Sequence, residues 1–393
     1  MSFDPAMNHR VAEVSMDRRR FLEVGVGVAA SSCLPGFAWE GRLMEECRRR
    51  AAQAGLAWNH VGTRVSEEAA ELGRAAAEGG VLRIAAAVEA LRADRIRFAP
   101  AWSRTGSSLV AHILGLSRIN PLQHRTVMDW VRPSGRRSLA TVAVAVDAIH
   151  AEQLVRMIKP ERVTQEPLCL DGPELLDCAV DGVDLLVLPM REIPRRVPRS
   201  QDDWCGWVLE RPFRAFIDAF EPRDVSDLAF ALTLFSPGLA LSGIAEHILA
   251  GPRSQQRCFP TIGPRETGGF LVYREDAIDL LMRVADMSRL EASRTLRVLG
   301  RKRPDELSRV MPALVRGFRE HGMTHAHARE MADALAWSSG HLHSKSHALS
   351  LAVMIQSGDA LLRDTAMAYT TASCGGDEKW AWKLVEAAKG TAA

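Results

Sequence analysis

Apolar and polar positions alternate along this chain in two different rhythms. Between residues 34 and 93, and again beyond Glu210, apolar residues recur every three or four positions among Ala, Glu and Arg, which is the spacing of amphipathic helices. Residues 95–190 carry a strand rhythm instead. Its clearest stretch is Leu139–Val146, where small and β-branched residues alternate with no charge, as in a buried or half-buried β-strand. A short strand is predicted at Ile96–Phe98, then a glycine-serine turn and a helix. A further helix is predicted over Asp147–Met157, ending before Pro160. The acidic, apolar stretch over residues 165–190 finishes in a predicted strand, Asp184–Leu188. Arg191–Arg199, with two prolines and four arginines, reads as an exposed basic connector. Breaks in the helical half are expected around Pro237-Gly238, Gly251-Pro252 and Gly263-Pro264. The expected fold is therefore α+β, a small mixed sheet with helices followed by a mostly helical lobe.

Composition narrows this picture only a little. At 393 residues the chain is long enough for a sizeable core and two or three lobes. Hydrophobic content of 47% and charged content of 25% are those of an ordinary globular protein. A net charge of +2 gives no global basic footprint, so any nucleic-acid contact must be a local patch. Cysteines 33, 47, 169, 178, 205, 258 and 374 are scattered and form no CxxC pair, which supports neither a disulfide framework nor a zinc site. No run of about eighteen apolar residues exists, so no membrane span is expected.

The N-terminal extension, residues 1–34, changes the expected compartment. Met16–Cys33 holds Arg18-Arg19-Arg20, a mildly apolar run interrupted by Glu23, and small residues before Cys33, and it resembles a twin-arginine export signal. A short amphipathic or buried element is the competing reading. The rest of the chain favours a cytoplasmic location, with export as the alternative.

Four blocks, in order, resemble the bacterial C-family DNA polymerases, the DNA polymerase III α subunit. Phe98–Pro121, containing Gly106-Ser-Ser-Leu-Val-Ala-His112, is similar to the palm segment Gly-Pro-Gly-Arg-Gly-Ser-x-x-Gly-Ser-Leu-Val-Ala-Tyr. Leu209–Pro222 and Phe235–Gly238 resemble the family's Leu-Glu-Ser block and its Arg-Pro-Gly-Pro. Gly269–Ile278 and Leu296–Leu307 are similar to the fingers motifs Gly-Ile-x-x-Tyr-Gln-Glu-Gln-Val-Met and Leu-Arg-Arg-Ala-Met-Gly-Lys-Lys-Lys-Pro. Ser344-Lys-Ser-His-Ala348 matches Asn-Lys-Ser-His-Ala. The resemblance spans about residues 35–390 and does not extend to the family's N-terminal phosphoesterase domain or its clamp-binding and OB-fold parts. It implies a degenerate palm and thumb-like region at 35–205 and a fingers-like helical domain at 206–393.

The same resemblance locates a loss of chemistry. In the family the alternating strand reads Pro-Asp-x-Asp-x-Asp, and its carboxylates hold magnesium, which activates the primer hydroxyl and stabilises the leaving pyrophosphate. Here Thr141, Ala143 and Ala145 stand at those positions, and none is a hard oxygen-rich ligand of the kind magnesium requires. The third aspartate falls nearest Pro189, and Asp181 and Asp184 read as turn residues or shifted substitutes. Ala101-Trp-Ser-Arg104 replaces the family's Gly-Arg-Gly-Ser phosphate turn, and Ser107 and Ser108 read as a helix start or a residual phosphate contact. No catalytic residue, metal site or cofactor is therefore expected.

The fingers motifs are better kept. Arg297, Arg301, Lys302 and Arg303 form a basic patch, and Lys345 and His347 match the family's Lys-Ser-His. The resemblance turns both toward the nucleotide or template phosphates, whereas a solvated helix end explains the patch as well. His341, His343 and His347 are spaced i, i+2, i+6, which does not align three imidazoles on one helical face for a metal. The tryptophans read as packing residues. The leading expectation is a catalytically inactive polymerase-core relative that binds primer-template DNA or a replication or repair protein. Beside it stand an active polymerase with carboxylates relocated to Asp147, Asp181 and Asp184, and an exported protein that reuses the fold.

Overall fold

A computed structural model describes residues 39–100, 104–134, 137–167, 174–190, 210–241, 243–250, 267, 270–372 and 378–391. The export-like segment, the basic connector Arg191–Arg199 and the breaks at Gly251-Pro252 and Gly263-Pro264 lie outside the described residues. The described residues from Glu40 onward form one compact unit.

The predicted N-terminal helical region forms α1 (Trp39–Ala51), α2 (Trp58–Arg74) and α3 (Glu78–Ala93). The central sheet contains β1 (Phe98–Pro100), β2 (Val131–Ser134), β3 (Arg137–Asp147), β4 (Arg162–Pro167), β5 (Glu174–Val180) and β6 (Val183–Met190). Its order is β1-β3-β6-β5-β4, with β2 also pairing to β3. Strands β3 and β6 run parallel, and the other pairs are antiparallel. Helix α4 (Leu109–Ile113) follows the glycine-serine turn, and α5 (Ala148–Ile158) follows β3. Lys159, in a left-handed conformation at φ +50°, ends α5 just before Pro160.

The alternation in β3 builds two different layers. Val142, Val144 and Val146, with Val183, Leu185 and Val187 of β6, face α2, α3 and α5 in one apolar core. Ala143 and Ala145, with Leu188 and Met190, face a second core built from α6 (Glu210–Phe220), α7 (Val225–Leu234), α8 (Pro237–Leu241), α9 (Ile244–Leu249), α14 (Lys345–Ile355), α15 (Ala360–Ala372) and α16 (Glu378–Thr391). The sheet is thus covered by helices on both faces. A third core joins α10 (Arg274–Val284), α11 (Arg289–Arg301), α12 (Pro304–Glu320) and α13 (His325–Ser338). The α+β class holds, with a small mixed sheet and a helical lobe. The strands before position 206 and the helices beyond it share the second core.

The break expected around Pro237-Gly238 is present: α7 ends at Leu234 and α8 opens on Pro237, where a proline lacks only a donor that the helix start would leave unpaired. Two other local expectations are corrected. Residues 162–167 and 174–180 form the antiparallel pair β4 and β5, which were not anticipated as strands. The first strand lies at Phe98–Pro100, two residues beyond its predicted start.

The β5–β6 turn is pressed onto α3. Gly182 has φ +75°, and a Cβ there would meet the Ala76 carbonyl; a Cβ on Gly80 would collide with the Val180 carbonyl. Both glycines are required by this close approach. A Gly80→Val substitution is expected to lower the unfolding free energy by about 2–3 kcal/mol. Chemical denaturation of the variant checks this, and a midpoint equal to wild type would refute the packing account.

Candidate functional site

The strand that the resemblance assigns to metal binding is sealed. Ala143 and Ala145 are 0% exposed, and α7 and α14 belong to the core that covers them. Thr141 is partly buried, and its carbonyl accepts the Trp130 indole N–H at 3.0 Å. The register corrects one assignment: Pro189 pairs with Val146 on the opposite face, while Leu188 lies beside Ala145. The position for a third carboxylate on this face is therefore leucine.

The proposed substitutes do not converge. Asp184 pairs with Thr141 at one end of β3, and Asp147 lies at the other end, beside Met190. Six residue steps separate the two along β3, about 20 Å at strand rise. Asp181 turns to the other layer and pairs with Arg83 of α3. Asp184 shares its face with Asp177; burial, and then the Asp177 charge, push its carboxyl above its ordinary value. Among the described residues, no three His, Cys, Asp or Glu side chains gather as a metal site would require. Two alanines at 0% exposure offer no oxygen ligand, so the residues present do not fit the magnesium pair that the resemblance implies.

The glycine-serine turn is committed to the fold. Ser108 caps α4, its Oγ accepting from the Ala111 N–H at 3.1 Å and donating to Glu68 Oε2 at 2.7 Å. Val110 N–H donates to the same carboxylate oxygen at 3.0 Å, and Arg64 holds the other oxygen at 2.9 Å. A carboxylate of the chain itself thus sits where a helix start would receive a phosphate. Ser107 Oγ donates to the Arg104 carbonyl at 2.7 Å and accepts the Asp129 N–H at 2.9 Å.

The Lys-Ser-His segment is built the same way. Ser344 caps α14, and Glu275 of α10 closes the helix start. Glu275 accepts from the Lys345 N–H at 2.8 Å, the Ser346 N–H at 2.9 Å, the Ser346 hydroxyl at 2.8 Å and the Ser344 hydroxyl at 3.1 Å. The Lys345 ammonium is buried, 3.6 Å from Asp276 and over the Tyr273 ring. His347 packs edge-on to His343, with ring centres 5.6 Å apart. Burial, then the neighbouring His343 and Arg104, depress the His347 imidazole from 6.5 to about 3. It is therefore neutral at physiological pH and supplies no positive charge.

One buried acid joins these pieces to the helical lobe. Asp129 is 0% exposed and ion-paired to Arg104; Arg274 Nε also donates to it at 2.8 Å. Arg274 reaches onward to the Ser293 hydroxyl of α11 at 2.8 Å. A second strap runs from Arg289 to Glu71 of α2 and to the Met128 carbonyl, at 2.8 and 2.6 Å. Sequence reasoning missed Asp129, Arg104, Glu68 and Glu275 as organising groups. Arg104 and Glu275 had a signal, their places in the compared motifs, whereas Glu68 and Asp129 had none.

The cations of α11 are arranged differently. A Ser288–Glu291 capping box starts the helix, with Ser288 N–H donating to Glu291 at 2.8 Å. Arg294, Arg297 and Arg301 are three and four residues apart and so share one face. Burial, then the like charges of Arg274 and Arg301, lower the Arg297 guanidinium from its ordinary value. Arg301, Lys302 and Arg303 form the exposed corner into α12: Lys302 is left-handed at φ +53°, and Pro304 opens the next helix. Arg303 has Glu306 at 3.6 Å, whereas the side chains of Arg297, Arg301 and Lys302 make no ion pair with another described residue. The predicted site residues therefore separate into a buried frame, formed by Ser107, Ser108, Lys345 and His347, and a cationic rim, formed by Arg297 and Arg301–Arg303.

Comparison with known proteins points the same way, at a distance. The chain is 25% identical over 187 residues to the DNA polymerase III subunit alpha of Xylella fastidiosa, covering 44% of this chain and 15% of that protein. It is 26% identical over 151 residues to the Thermus aquaticus subunit, covering 36% and 12%. With the Haemophilus influenzae subunit it shares 21% identity over 232 residues, covering 56% and 18%. The matched region thus spans less than a fifth of these curated relatives. No protein-family model matches the chain. The similarity supports a distant relationship to the polymerase III α subunits.

Two predictions follow from this geometry. Ala143→Asp and Ala145→Asp, which place carboxylates on this face, are each expected to lower stability by about 3 kcal/mol or more, because the charge enters an apolar core. Thermal melts of the single variants decide it; unchanged melting would mean that this face opens to water. His347 gives a pH dependence. Its native pKa lies below the unfolded value, so the unfolded chain binds more protons between about 3 and 6.5. Its contribution is fully present above 6.5 and fades as pH falls toward 3. Stability of His347→Gln minus that of wild type, followed from pH 7 to pH 4, is expected to shift in favour of the variant on acidification. A difference that stays flat would contradict the assignment.

Proposed function

We propose that this chain is a catalytically inactive relative of the DNA polymerase III α subunit that binds DNA along the cationic rim of its helical lobe, as a binding or scaffolding protein in replication or repair. The observation that carries the reading is the contrast between two surfaces. The sheet face assigned to catalysis is an alanine stripe at 0% exposure under covering helices, while Arg297, Arg301 and Lys302 remain without ion-pair partners among the described residues. Crowded, unneutralised guanidinium groups suit a polyanion such as a primer-template backbone. In this reading Ser107, Ser108, Lys345 and His347 hold the frame, and Arg297, Arg301, Lys302 and Arg303 meet the phosphates.

The relocated-carboxylate reading loses its support, because Asp147, Asp181 and Asp184 lie at different ends or faces of the sheet. Among the described residues no helix is long and apolar enough to cross a membrane. A DNA-binding role places the protein in the cytoplasm; export would show instead as a mature chain shortened near Cys33.

Binding to a fluorescent primer-template, with magnesium and deoxynucleotides in the same tube, tests the proposal. The expected result is affinity that falls steeply with salt, without primer extension. Arg301→Ala and Lys302→Ala should each reduce the logarithmic salt slope by about one. Extension would overturn the inactive reading, and salt-independent or absent binding would overturn the DNA reading.

A further inference from the structure

The corner where α11 ends carries an aromatic group as well as cations. Along α13, Ala328, Met331, Ala332 and Leu335 point into the third core. Trp337 lies two residues further on, about 200° around the helix from Leu335, so its indole turns away from that core. It is 36% exposed, whereas Trp130 is 1% and Trp380 is 7% exposed. Its ring lies 5.3 Å from that of His341, tilted by 48°.

Lys302 lies close to this pair. A Cβ on Gly340 would stand 3.6 Å from the Lys302 ammonium, and one on Gly300 would stand 3.2 Å from the Ser339 carbonyl. The ends of α11 and α13 therefore meet, with the Lys302 side chain lying against Gly340. Burial and then the Lys302 charge lower the His341 imidazole from its ordinary value, against a hydrogen bond to the Gly238 backbone that works the other way. Arg301 and Lys302 form no ion pair with another described residue. An isolated exposed tryptophan needs no explanation. An exposed indole and an imidazole side by side, with the Lys302 ammonium close by, is the combination that holds unpaired bases on a charged strand.

We propose that Trp337 and His341 form a stacking platform for an unpaired base of a single-stranded nucleic acid, whose phosphates Arg301 and Lys302 neutralise. The inference rests on the nucleic-acid reading above and adds to it a preference for single strands. Every base has a π-face, so the platform selects strandedness with little regard to sequence.

The test uses the full chain and three probes: oligo-dT, a duplex of equal length, and polyphosphate. Trp337→Ala is expected to weaken oligo-dT binding by about tenfold or more, Trp337→Phe to retain most of it, and both to leave duplex and polyphosphate binding within about twofold. Arg301→Ala with Lys302→Ala should weaken all three. If the charge variants act and Trp337→Ala leaves oligo-dT binding unchanged, the platform is wrong while nucleic-acid binding stands. Equal loss on all three probes for Trp337→Ala, retained in Trp337→Phe or not, also overturns it, since stacking cannot act on polyphosphate. Wild-type protein that binds no nucleic acid overturns both readings together.

Discussion

Asp129 is the constraint on which the rest of this structure turns. A carboxylate at 0% exposure is costly unless it is paired and hydrogen-bonded, and here two guanidinium groups and a serine network meet that requirement. Arg104 comes from the turn before α4, and Arg274 from the start of α10. Their shared anion joins the sheet side of the molecule to the helical lobe. Because Ser107 accepts the Asp129 N–H, the same residue also fixes the glycine-serine turn. Removing the acid would leave two partly buried cations facing each other, which penalises any separation of the two regions that breaks the contact.

The other internal acids repeat this logic. Glu68 takes the α4 start, and Glu275 takes the α14 start, each meeting amide donors that helix ends leave open. A helix N-terminus attracts anions whether they arrive from solvent or from the chain. In this molecule the chain supplies them. Lys345 follows the same pattern by lying against Asp276. The motifs that resemble nucleotide-binding elements are thus kept in sequence while their polar groups are spent internally. What remains outward is the end of α11, where charge has no internal counterpart among the described residues.

Much of the fold was legible because it depends on periodicity. Leu139–Val146 alternates without charge and became the central strand, and Asp147–Met157 became α5 with a one-residue offset. The hairpin of β4 and β5 was hidden because its polar residues interrupt the alternation: Thr164 and Gln165 face β5 positions as mixed as Asp177 and Leu176. The site was legible in part. Helix capping by Ser108 follows from local chemistry, and so does the exposed Arg301–Arg303 corner. Asp129 carried no local signal, since its partners lie 25 and 145 positions away in the chain. The choice of Pro189 over Leu188 failed for a related reason. Only the strand register says which face a residue occupies, and a slip of one residue inverts it.

The alanine stripe and the helices above it explain one another. Aspartates along β3 would need metal and water beside them, and α7 and α14 exclude both by packing onto the sheet. Conversely, those helices can close only over small apolar residues: Ala143 and Ala145 leave the sheet surface low, so Leu188, Met190 and the aromatic side chains Phe213, Phe216 and Phe235 fill the layer. Carboxylates on this strand and the core above it are therefore mutually exclusive, and adding one without opening the other yields a buried, unpaired charge. That coupling separates the two halves of the site. The sheet face is held shut by packing that is incompatible with metal chemistry, whereas the α11 corner stands outside all three apolar cores and keeps its charge at no cost to them.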